Sequence, residues 1–192
     1  MRTILPTMLF AIVCWLSTTT AAFSDDKRPG APTAPVDEPG TIHRELAMRA
    51  GEYTTVSKFW KKPGAEPIVT TGTAKITAAV DGRFIIEEFD GAPFGPPIKG
   101  MRVTGYSNHE KKYESTWAFS LSTAMMPLVG TTSDSGKTIE WRETAPVAKG
   151  ANQSPFAMTR FIDDDHFAVD LLSRTADGSK QVKIETVYSR KK

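Results

Sequence analysis

Cysteine is nearly absent from this chain of 192 residues. The one cysteine, Cys14, stands inside an N-terminal apolar run. Once that run is removed no disulfide, thiolate nucleophile or cysteine metal ligand remains. A dominant sign of charge is missing too. Lys and Arg number 24 against 22 Asp and Glu, a net charge of +2. That balance offers no basic stripe for phosphates and excludes an electrostatically driven nucleic-acid binder. Histidine is scarce. His43 opens a helix, His109 falls in a loop and His166 stands at a strand entrance. None occupies a mid-strand inward position, so neither a haem ligand nor a three-histidine zinc site is expected. No Gly-x-Ser-x-Gly elbow and no Gly-x-x-x-x-Gly-Lys phosphate loop occurs. No catalytic residue, cofactor or metal is therefore assigned.

What is present begins with an address. Met1-Arg2-Thr3 is basic, residues 4–16 form a 13-residue apolar run, and small and polar residues follow to Ala22. The order is that of a secretory signal over residues 1–22, and the run is shorter than the ~20 residues of a bilayer span. Val13 precedes Cys14 where a lipoprotein signal wants a small residue, so lipidation is not expected. The chain is read as exported, periplasmic or secreted, with no membrane attachment after cleavage. Removing Arg2 leaves a net charge of +1. Residues 23–40 carry Pro29, Pro32, Pro35 and Pro39 and little that is apolar, the composition of a disordered linker. Residues 41–192 remain, about 150 residues, a length that favours one domain.

The domain opens on a short helix, with Thr41 as N-cap, Gly51 as stop, and Ile42, Leu46 and Ala50 at a spacing of four. Beyond Tyr53 the helical period vanishes. Strand-like runs occupy 52–60, 68–80, 83–90, 98–107, 112–120, 125–132, 138–144, 157–163, 167–174 and 181–190. Asp81-Gly82, Asp134-Ser135-Gly136 and Asp177-Gly178 supply the positive φ of tight hairpins. Tyr113, Ser115, Trp117 and Phe119 share one face, as do Val182, Ile184, Thr186 and Tyr188. One buried and one wetted face implies an antiparallel sheet. Ten short-linked strands without intervening helices close most economically, because closure removes the edges. The expected fold is all-β: a lipocalin-like up-and-down antiparallel β-barrel of about ten strands with a short N-terminal helix. A β-sandwich would need longer crossover connections.

His43-x-x-Leu46-x4-Gly51-x-Tyr53, then Gly82-Arg83-Phe84 with Glu88 and Gly91, resemble the first blocks of an uncharacterised bacterial family, domain of unknown function 1579. Gly105-Tyr106 with Lys112-Tyr113 and Trp117, Gly130-Thr131 with Asp134 and Gly136-Lys137-Thr138, and the closing Tyr188-x-Arg190 resemble the later ones. The resemblance spans residues 43–190. It implies a lipocalin-like, often exported barrel and no established activity. It also implies that Gly51, Tyr53 and Arg190 close the barrel base, as a Gly-x-Trp and a last-strand Arg do in such barrels. Two positions depart from the family: Tyr53 replaces Trp, and Ser107 replaces Asp.

Glu87 and Glu88 lie mid-strand, so alternation points one of them inward, where Arg102 or Arg160 would be its partner. Glu88, Arg102, Tyr106, Tyr113, Trp117, Met125, Trp141 and Arg160 are the candidate ligand-binding residues for a small hydrophobic or amphipathic molecule. The same aromatic and methionine set also describes a packed core. Three roles are open: a ligand-binding barrel, a filled barrel with a structural or interaction role, and an enzyme using an inward Glu/Arg pair. An interior cavity below roughly 200 Å3 would count against the first, since ligand pockets begin near 300 Å3. Residues 163–166 (Asp-Asp-Asp-His) read as a solvated hairpin turn rather than a cation site.

Overall fold

The computed structural model describes residues 37–132, 134–144, 156–174 and 180–192. The signal segment, most of the linker, the Asp177-Gly178 turn and the 145–155 loop fall outside the described residues.

Helix α1 (Thr41–Ala47) leads into ten strands: β1 (Gly51–Phe59), β2 (Ile68–Ala79), β3 (Phe84–Gly91), β4 (Ile98–Ser107), β5 (Lys112–Phe119), β6 (Met126–Thr131), β7 (Thr138–Glu143), β8 (Phe156–Phe161), β9 (His166–Arg174) and β10 (Lys180–Arg190). Every strand lies within two residues of its sequence-based position. Each strand pairs antiparallel with its neighbours in sequence, and β1 pairs with β10, so the barrel is closed. The turn residues account for the register. Val80, Asp81 and Gly82 all have positive φ in the β2–β3 turn. Asp81 and Gly82 suit that region, whereas Val80 is a β-branched residue there, which is uncommon.

Alternation sorts the interior. Tyr53, Ala74, Ile76, Ile85, Tyr113, Trp117, Ile139 and Trp141 are buried and face the lumen, with Val169, Ile184 and Tyr188 opposite. Small residues make room for large ones. A β-carbon at Gly130 would lie 2.7 Å from both Ile139 Cγ2 and Trp141 Cζ3. Neither side chain has space to retreat, each being 1% exposed. Gly130→Ala is expected to lower the unfolding free energy by about 1–3 kcal/mol, the range for overpacking a filled core, with urea unfolding as the check.

Helix α1 packs against β2, β3 and β4 and caps the end of the barrel where β1 begins and β10 finishes. Its N-cap is Gly40 rather than Thr41. The Gly40 N–H donates to His43 Nδ1 at 3.0 Å, while His43 Nε2 donates to the Tyr106 carbonyl at 2.9 Å. His43 therefore fastens the helix start to β4 and is consumed by that role. Thr41 instead accepts from Arg44 Nη2. The last residues assigned to the linker also touch the domain: Asn108 Nδ2 donates to Asp37 Oδ1 and to the Glu38 carbonyl.

Beside the helix, Arg190 lies 5.0 Å over the Tyr53 ring and donates to the carbonyls of Ala50 and Met48. Tyr53 Oη donates to the Arg49 carbonyl at 2.8 Å. Gly51 has no room for a side chain, because the Arg190 guanidinium occupies the place of its β-carbon.

Candidate functional site

The opposite end of the barrel is not capped by a helix among the described residues. Strand parity places Glu87 on the inward face of β3, between inward Ile85 and Phe89. Register aligns Glu87 with Arg102 on β4 and Arg102 with Trp117 on β5. Arg102 Nη2 donates to Glu87 Oε2. From β10, across the lumen, Tyr188 Oη donates to Glu87 Oε1 at 2.7 Å. Both carboxylate oxygens are thus engaged. The Arg102 guanidinium lies 5.2 Å over the Trp117 ring, whose indole N–H donates to Ser115. The two charged side chains are deeply buried, 6% exposed for Glu87 and 11% for Arg102.

Arg102 carries five N–H donors. Among the described residues its hydrogen bonding is confined to Glu87. The Arg102 side chain lines a void on either side. On the helix side is a space of about 20 Å3 lined by Leu46, Ile76, Thr104 and Thr159, room for about one water. On the other side is a partly open apolar pocket of about 60 Å3. Its floor is Glu87, Arg102 and Tyr188, its walls include Phe89, Ile98, Phe119 and Leu171, and Pro93 and Phe94 of the β3–β4 loop stand at its mouth. Thr70 Oγ1 holds that loop by donating to the Ala92 carbonyl at 2.9 Å.

Burial raises the Tyr188 hydroxyl well above its usual 10.0, and the Glu87 charge adds to the rise while Arg102 opposes it. The sign of the stability linkage follows. A raised folded-state value gives stability that is complete below pH 10.0 and is lost as pH rises from there through the folded value. Tyr188→Phe is therefore expected to unfold with a shallower loss of stability above pH 10, read from urea midpoints of both proteins across pH 8–11, a range on the order of one unit or more to either side of that value.

The eight candidate ligand residues divide three ways. Arg102 and Trp117 line the pocket. Tyr106, Tyr113 and Trp141 form an edge-to-face stack at 5.1 and 6.2 Å, continuous with the packed core, and do not line the pocket. Glu88, Met125 and Arg160 do not line that pocket. Glu88 is exposed on the outer face of β3, and Glu87 is the inward carboxylate. Met125 is 63% exposed and precedes β6. Arg160 points outward from β8 and forks onto Asp170, with Nε to Oδ2 at 2.7 Å, and also reaches Glu185. Tyr188, absent from the candidate set, completes the floor. Its place on the inward face with Ile184 and Thr186 was the available signal. Residues 163–166 form a turn in which Asp163 accepts from the backbone N–H groups of Asp165 and His166. Among the described residues no three His, Cys, Asp or Glu converge as a metal site.

These features define a class: a helix-capped, ten-stranded up-and-down barrel with a buried Glu–Arg–Tyr triad under an apolar pocket at its other end. The chain belongs to the DUF1579 family, described as a protein of unknown function, whose model matches residues 38–190. Among curated proteins none matches. Of solved structures, Rv2717c from M. tuberculosis is similar at 17% identity and a TM-score of 0.56, over 81% of this chain and 100% of that one. A redesigned β-barrel, b11L5F_LGL, is similar at 13% identity and a TM-score of 0.42, over 78% of this chain and 96% of that one. The first likeness establishes the barrel fold and nothing about activity.

Proposed function

We propose that the protein is an exported barrel that binds a small, mainly apolar molecule bearing a hydrogen-bond acceptor. Export is supported by the N-terminal residue pattern. The observation that carries the binding role is the Arg102 guanidinium at the floor of an apolar pocket, with donors left over after Glu87 is served. Among the described residues the side-chain polar atom buried without a partner is Thr55 Oγ1, so the Arg102 donors that Glu87 does not use border solvent-accessible space, where an incoming acceptor replaces water with a charge-assisted hydrogen bond.

The pocket volume of about 60 Å3 lies below the range of ligand pockets, which begins near 300 Å3. It counts against a lipid or other large occupant. A molecule that seats its acceptor end beside Arg102 and leaves its remainder past Phe94 fits the space. The same small volume favours a second reading, a filled barrel whose outer surface carries an interaction role. Leu121, Met125 and Val69 are exposed near the open end, as such a surface requires. An enzymatic role has less support, since Glu87 has both oxygens occupied.

Native mass spectrometry of the protein purified from its own host discriminates the two. Binding predicts a retained small molecule that is lost in Arg102→Met. A clean apo mass from the wild-type protein supports the filled barrel.

A further inference from the structure

We propose, building on the binding role, that the pocket selects uncharged carbonyl compounds (ketones, esters or amides) and rejects carboxylates. Cationic floors are usual partners for acids, and Arg102 alone would attract one. Glu87 removes that preference. Its carboxylate is ion-paired to the guanidinium in the same buried site, so the floor is neutral overall. Among the described lining residues Glu87 and Arg102 are the only charged ones, and Tyr188 is a neutral donor already directed at Glu87. A bound carboxylate would place a second negative charge beside Glu87 with one cation between them. Low-dielectric walls make that repulsion strong, and the usual escape is protonation of one of the two acids. A carbonyl oxygen accepts from the spare Arg102 N–H groups and brings no charge. The apolar walls take the hydrocarbon part.

Three probes of similar size separate the possibilities: acetophenone with a carbonyl, benzoate with a carboxylate, and ethylbenzene with neither. The full chain is titrated with each at neutral pH while the Trp117 indole N–H and Arg102 Nε–H resonances are followed by NMR. Acetophenone is expected to bind tighter than benzoate and ethylbenzene by about tenfold or more, the equivalent of one hydrogen bond to a charged group. Benzoate binding as tightly as acetophenone overturns the selection while leaving the binding role intact. No response to any probe overturns both. Glu87→Gln supplies the second arm: it frees the Arg102 charge and is expected to shift the order toward benzoate. An unchanged order in folded Glu87→Gln overturns the role given to Glu87. If that variant fails to fold, the wild-type order alone decides.

Discussion

Glu87→Leu is expected to lower the unfolding free energy by about 3–5 kcal/mol, the range for removing one member of a buried ion pair. Leucine matches the volume of the carboxylate side chain, so the loss is not that of a cavity. Two groups are stranded instead: the Arg102 guanidinium, 11% exposed, and the Tyr188 hydroxyl, whose acceptor is Glu87. Arg102→Met in the same chain removes the stranded cation. The double variant is expected to recover most of the loss, because apolar replacements of a buried pair are often close to neutral. Guanidinium unfolding of wild type, both single variants and the double variant closes the cycle. A single-variant cost below about 1 kcal/mol, the value for an exposed pair, would mean that water reaches both groups freely.

The next largest effect is expected at Tyr53. The residue is fully buried at 0% exposure. Its ring meets Phe167 and Tyr188 edge to face at 5.4 and 6.3 Å, and Arg190 covers it. Tyr53→Ala leaves a hole where β1 and β10 close the barrel, costing about 3–5 kcal/mol. Tyr53→Phe keeps the ring and loses the bond to the Arg49 carbonyl, for about 0.5–1.5 kcal/mol. The two values, measured by thermal and urea unfolding, separate packing from hydrogen bonding. Equal losses in both variants would assign the stability to the hydroxyl and contradict the packing account.

Much of the fold was legible in sequence because its signals are local. Asp81-Gly82 and Ser135-Gly136 mark hairpins by their own backbone preferences, and both turns adopt positive φ. Alternation along β5 and β10 assigned faces without knowledge of the partners. Val80 at positive φ and Gly40 as helix cap escaped, since each is set by the neighbours rather than by its own preference. The site was harder. In β3 the choice between Glu87 and Glu88 turns on Asp90, which shares the outer face with Glu88, while Ile85 and Phe89 share the inner one. In β8 the inward residues are the small Ala157 and Thr159, so Arg160 falls outside, where Asp170 and Glu185 hold it. Tyr106, Tyr113 and Trp141 resemble cavity residues in composition, and only the closeness of their rings shows a filled core. Composition cannot separate a lined cavity from a packed one. The difference lies in where Gly100, Gly130 and the aromatic rings come to rest.

The central claim is that the Arg102 donors not used by Glu87, at the base of an apolar pocket, receive an acceptor. The most direct measurement is a crystal structure of the full chain soaked with acetophenone. The account predicts the carbonyl oxygen within hydrogen-bond distance of the Arg102 guanidinium, with the ring between Phe94 and Phe119. A ring bound only on the outer surface, or a pocket left empty at saturating probe, would contradict it.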